Sequence, residues 1–180
     1  MKIINERINL NSLKKLYPNE DSMIISLYNY LLGAFENIED SGKYFIYKEF
    51  IEANKKRLSS DEIAFHYHWL VNYCIIKKKS IASKIDFNKE LFEIYSAILT
   101  NEYYKDRKIE NLSADLYRDI LIHGINLKKY NWVIHFIKNY HIKISVHERE
   151  NMLNYSYTYY YCSTGDYLKA LEFYNKISMD

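Results

Sequence analysis

The sequence predicts an all-α protein built as a stack of about four antiparallel helical hairpins, and three observations carry that prediction. Apolar residues recur at three- and four-residue spacing along most of the chain, the pattern of helices that bury one stripe. Only four glycines and one proline occur in 180 residues, too few for the tight turns that an all-β fold places between its strands. Near the C-terminus a tyrosine-rich, helix-length segment meets a Gly165-Asp166 break. A second segment follows it, with Tyr167 and then Ala170-Leu171, the outline of two helices folded back on each other.

The elements follow in order. After a break at Pro18-Asn19, Ile24, Leu27, Tyr28, Leu31, Phe35 and Ile38 keep helical spacing as far as Ser41-Gly42, which is expected to end that helix. Tyr44, Tyr47, Phe50 and Ile51 repeat the period and fade into Asn54-Lys55-Lys56-Arg57. Ser59-x-x-Glu62 has the form of a capping box, in which hydroxyl and carboxylate each satisfy a free N–H at a helix start. The helix it opens carries Ile63, Tyr67, Leu70, Val71 and Cys74. A polar stretch through Ser80 and Lys84 leads to Asp86, a candidate N-cap for a helix with Leu91, Ile94, Tyr95, Ile98 and Leu99. Residues 101–111 are polar and read as the longest loop. The pattern resumes with Leu112, Leu116, Tyr117, Ile120, Leu121 and Ile125, breaks at Lys128-Lys129, and continues through Tyr130, Val133, Ile134, Ile137 and Tyr140. Ser145-x-x-Glu148 is a second candidate capping box. The hairpins therefore fall near 21–57, 59–100, 112–141 and 146–178, within one domain over 1–180.

The two last helices differ in kind. Leu153, Tyr157, Tyr160 and Thr164 form one stripe of the first, while Met152, Tyr155, Tyr159 and Cys162 form another, so this helix is expected to be covered on two sides. The second has a single stripe of Tyr167, Ala170, Leu171, Tyr174 and Ile177. A shift of 37 residues lays Tyr130 on Tyr167 and keeps five apolar positions matched, a sign of internal repetition.

Composition narrows the function. A net charge of +2 provides no field to hold nucleic acid or an anionic membrane, so neither is expected as a partner. The Lys77-Lys78-Lys79 run fits a solvated helix end. Cys74 and Cys162 sit inside apolar helical patterns and read as two buried thiols of a reducing, cytoplasmic compartment. Met1–Arg7 lacks the apolar core of a signal peptide, and no apolar run reaches the roughly 18 residues a membrane span requires. His66 and His68 point to different sides of a helix, and no His or Cys pair has metal-ligand spacing, so neither metal nor cofactor is expected. Ile, Asn, Lys, Tyr and Phe have AT-rich codons and make up about half the chain. Many of the tyrosines therefore stand where Leu or Phe would serve equally.

Gly165-Asp166-Tyr167 followed by Ala170-Leu171 resembles the tetratricopeptide repeat, in which Gly ends the first helix and a small residue lets the second pack closely. With Asn151 as the first position, Tyr161, Gly165, Tyr167, Ala170, Tyr174 and Ile177 match the structural positions of that repeat, while Thr158 departs from its usual Gly or Ala. Upstream, Gly124 is out of place and Trp132-Val133 stands where a small pair is usual. More broadly, Leu70–Ile75, Glu90–Tyr95 and Trp132–Tyr140 look like segments of divergent tetratricopeptide-like proteins of unknown role from Bacteroidetes-type bacteria. The resemblance implies a right-handed α-solenoid, expected to be the N-terminal part of a longer one or to self-associate through its C-terminal edge. It also implies a non-catalytic scaffold whose concave face accepts a peptide or helix of a partner protein. Carried onto this chain, the groove-facing positions are Arg118, Ile122, Met152, Tyr155 and Tyr159.

Arg118-x4-His123 is similar to the catalytic motif of helical HEPN ribonucleases and supplies an alternative function. Random placement of the histidines relative to the arginines gives about 0.5 such matches in a chain of this composition, so one match carries little weight.

Overall fold

The computed structural model describes residues 22–79, 85–105 and 109–178, and among them it contains eight α-helices and no strand. Met1–Arg7, the Pro18-Asn19 break, Ser80, Lys84, the middle of the 101–111 stretch and Asp180 lie outside the described residues. Internal contacts divide the chain, read from its sequence as one domain over 1–180, into two compact units, Met1–Lys84 and Ile85–Asp180. The expected 59–100 hairpin takes one helix from each unit.

The first unit holds α1 (Ser22–Glu36), α2 (Ser41–Asn54) and α3 (Ser60–Lys77). Ser41 and Gly42 begin α2 rather than ending α1, because Asp40 accepts a hydrogen bond from the Gly42 N–H at 3.1 Å and so caps a new helix. After a 3₁₀ turn at Lys55–Arg57, the capping box closes as expected: Ser59 Oγ accepts from the Glu62 N–H, and Glu62 Oε2 accepts from the Ser59 N–H at 2.7 Å. The three helices share a core of Leu27, Ala34, Ile51 and Leu70 together with the fully buried rings of Tyr44, Tyr47 and Tyr73. A buried phenol needs a partner for its hydroxyl. Tyr44 finds Cys74 Sγ at 3.4 Å, Tyr47 finds His66 Nδ1 at 2.6 Å, and Tyr73 donates to the Ile38 carbonyl at 2.9 Å.

The second unit holds α4 (Phe87–Thr100), α5 (Ala114–Asn126), α6 (Tyr130–Tyr140), α7 (Val146–Thr164) and α8 (Tyr167–Tyr174). Asp86 caps α4 as expected, accepting from the N–H groups of Asn88 and Lys89. Ser113 caps α5 in the same way. Three helices then end in one geometry. A residue in the left-handed region follows each: Glu102 after α4, Lys128 after α5 and Gly165 after α7. In each case the next N–H reaches back five residues, from Tyr103 to Ile98, Lys129 to Gly124 and Asp166 to Tyr161, which satisfies a carbonyl the helix leaves open. Glycine is the usual residue at that position, and a chain with four glycines uses Glu and Lys at two of the three.

Consecutive helices pack as pairs, α5 with α6 and α7 with α8, and α7 also touches α5 and α6. The two-sided contact expected of α7 is therefore present, but its best-buried side chains are the polar Asn154 and Ser156. Its tyrosines are half-buried, and residues 162–165 are exposed. Cys162 is thus exposed, contrary to the expectation from periodicity, whereas Cys74 is buried. The pattern marks Cys162 as apolar in type, but the helices packed against α7 do not cover its last turn.

Ser145 departs from the sequence reading too. Its hydroxyl donates to Glu148 Oε2 at 2.7 Å and makes no capping bond to backbone, so the box does not close. Ser59→Ala is expected to cost about 1 kcal/mol and Ser145→Ala only a few tenths, a contrast that urea denaturation of the two variants will read.

Candidate functional site

The groove positions taken from the sequence come from two helices of the second unit. Arg118 and Ile122 are four residues apart on α5, and Met152, Tyr155 and Tyr159 share a face of α7. Tyr117 joins α5 to both of its neighbours, to α6 through Phe136 and to α7 through Ser156. Tyr117 is wholly buried, its ring stacked on Phe136 at 4.6 Å, and its hydroxyl accepts a hydrogen bond from the equally buried Ser156 Oγ at 3.1 Å. Tyr117 and Ser156 thus point inward, which sets Arg118 and Tyr155, one residue along each helix, toward the outside.

The Tyr155 and Tyr159 rings stack at 5.9 Å and 25° and are half-buried, as are Ile122 and Met152. Arg118 is exposed and pairs with Asp115 at 2.9 Å. Burial first, then the neighbouring Tyr159, raises the pKa of Tyr155, and Arg118 pulls it back, so the guanidinium lies within electrostatic reach of the phenol. The face therefore offers apolar ring area beside a charge that remains solvated.

Arg118 and His123 are not brought together. Five residues separate them, about 140° around a helix. His123 is 5% exposed, its Nε2–H donates to the Asn88 carbonyl on α4 at 2.8 Å, and its ring meets Tyr95. It joins two helices, whereas Arg118 faces solvent.

Of the repeat-structural positions, Gly165 ends α7 at φ +85° and Ala170, 4% exposed, lies against α7. Tyr161 stacks on Phe173 at 5.8 Å, beneath the Lys169 ammonium. Tyr167 and Tyr174 are exposed. Ile177 is not part of the α8 stripe, since that helix ends at Tyr174 and a turn follows. The turn is fastened instead by two asparagines, with Asn154 donating to the Lys176 carbonyl and Asn151 bonded both ways with Ser178.

Sequence reasoning missed Gly124. A Cβ built there would lie 3.0 Å from Trp132 and 3.0 Å from Val133. The small residue that lets paired helices approach is on the second helix of the α7–α8 pair and on the first helix of the α5–α6 pair. The out-of-place glycine beside a bulky Trp132-Val133 was the signal that could have found it.

Compared with family models, curated proteins and solved structures, the chain matches none. No helix among the described residues is long and apolar enough to cross a membrane, and no cluster of three or more metal-ligating side chains occurs among them.

Proposed function

We propose that the protein is a non-catalytic binding module whose α5–α7 face accepts a peptide or helix from a partner protein. The observation that carries this reading is the stacked, half-open Tyr155–Tyr159 pair with the solvated Arg118 within electrostatic reach of Tyr155. Tyrosine and arginine are enriched among the residues that dominate protein contacts: tyrosine joins a large apolar area to a polar end at low entropic cost, and arginine adds a planar charged fork. The resemblance of the last hairpin to a tetratricopeptide repeat supports the same reading, with α5 and α7 in the position of the inner, groove-lining helices.

The test is selection of peptides from a random display library on the whole protein. Enriched peptides are expected to lose about 2 kcal/mol, roughly thirtyfold in Kd, on the Tyr155→Ala/Tyr159→Ala variant. Helicity by circular dichroism should stay unchanged. Failure to enrich any sequence, or binding indifferent to both substitutions, removes the proposal.

A further inference from the structure

A second candidate site lies apart from that face, between α4 and α6. There the second unit encloses a half-open cavity of about 310 Å³, near the lower end of the size range of small-ligand pockets. Both walls are fixed by α5, which packs against each of them. On one side His123 Nε2 bonds the Asn88 carbonyl and ties α5 to α4. On the other, the missing side chain at Gly124 gives the Trp132 ring room to lie close against α5.

The α6 wall is a ladder of rings at i, i+4 and i+8. Trp132 stacks on Phe136 at 5.3 Å with only 7° between planes, and Phe136 on Tyr140 at 5.4 Å and 22°. Phe92 meets Trp132 edge-on at 4.7 Å, which holds the indole in place. Leu99, buried, supplies apolar surface from α4. Polar atoms stand at the edges. Ser96 spends its proton on the Phe92 carbonyl and so can only accept, and exposed Thr100 and His135 complete the lining. No carboxylate, ammonium or guanidinium belongs to a lining residue. An anionic occupant would therefore exchange its hydration for ring faces that repel it, at a cost no cationic group of the lining offsets.

We infer that this cavity binds a neutral, planar aromatic group with a hydrogen-bond donor on its edge, of indole or phenol type. The half-buried Trp132 and Tyr140 give it ring surface to pack against, backed by the buried Phe136, and Ser96 Oγ gives an acceptor for its donor. Such a group exists both as a free small molecule and as the side chain of a peptide, and the two sources are separable.

The experiment is a titration of the ¹⁵N-labelled whole protein with indole, followed by amide chemical shifts. Saturable shifts with a Kd on the order of millimolar are expected at Ser96, Leu99, Trp132 and Phe136, with none at Tyr155 or Tyr159. Ser96→Leu fills the cavity and should weaken binding by about tenfold or more. If that variant also lowers the unfolding midpoint, Thr100→Leu, at an exposed position, serves the same end. Cyclohexanol, of similar polarity without a flat ring, should bind more weakly than indole. A capped Gly-Trp-Gly peptide that binds at least as well as indole points to a protein side chain as the occupant, and one that binds about tenfold more weakly points to a free aromatic molecule. Shifts that fail to saturate, that survive both filling variants, or that are matched by cyclohexanol overturn the inference.

Discussion

Replacement of Gly124 by leucine is expected to destabilise the second unit by about 3 kcal/mol, the upper part of the usual cost of overpacking a core. The reason is distance. A Cβ at that position would already stand 3.0 Å from both Trp132 Cζ3 and Val133 Cγ2, closer than side chains normally approach, and leucine adds three more heavy atoms in the same direction. Val133 is fully buried and Trp132 is held by Phe92 and Phe136, so neither can withdraw without opening the α5–α6 contact. Gly124→Ala separates two effects. Alanine recovers about 1 kcal/mol of helix propensity, which offsets part of the crowding by one methyl group, and its net change should be well below that of leucine. Urea denaturation followed through Trp132 fluorescence, in a Trp69→Phe background, reads both variants. An unchanged midpoint for Gly124→Leu would show that the two helices are not in close contact.

Acid should weaken the first unit through His66. This ring is wholly buried, bonded through Nδ1 to Tyr47, edge-on to Tyr28 and Phe65, and its Nε2 has no partner. Burial lowers its pKa from 6.5 to about 4, against an opposing pull from Glu62. In the unfolded chain the same group takes up a proton near 6.5. Between those values the unfolded state binds more protons than the folded one, so stability is complete above pH 6.5 and is lost as the pH falls toward 4. The loss amounts to about 3 kcal/mol over the window, at roughly 1.4 kcal/mol per pH unit. Trp69, three residues along α3, reports the unfolding of this unit in a Trp132→Phe background. His66→Gln keeps a neutral partner for Tyr47 and should flatten the slope by that amount. A His66→Gln protein with the parent's pH dependence would show that His66 is not the group responsible.

How much of this was legible in the sequence depends on what each signal measures. Hydrophobic period and capping residues report local preference, and they placed the helices, the Ser59–Glu62 box and the Asp86 cap. They failed where a local signal had two uses. Ser41-Gly42 reads as a stop, yet Asp40 turns it into a start, and Ser145-x-x-Glu148 has the letters of a capping box but spends its hydroxyl on the carboxylate itself. The turns after α4 and α5 were invisible as helix ends of the glycine type because Glu102 and Lys128 occupy the left-handed position. The Tyr155–Tyr159 pair follows from i, i+4 spacing alone. Its openness does not, since exposure depends on where neighbouring helices stop, as Cys162 shows. The ring-walled cavity depends on the α4–α6 separation, which no single segment encodes.

The fastening of α8 has a mechanical consequence. Its contacts with α7 lie in series along the chain: Asn151 and Asn154 on residues 176–178, then Phe173 between Tyr157 and Tyr161, then Ala170, and last the bond from Asp166 to Tyr161. A pull on the C-terminal end loads these contacts one at a time, as a zipper does. A pull on that end is therefore expected to open the seam between α7 and α8 from residues 176–178 toward Gly165.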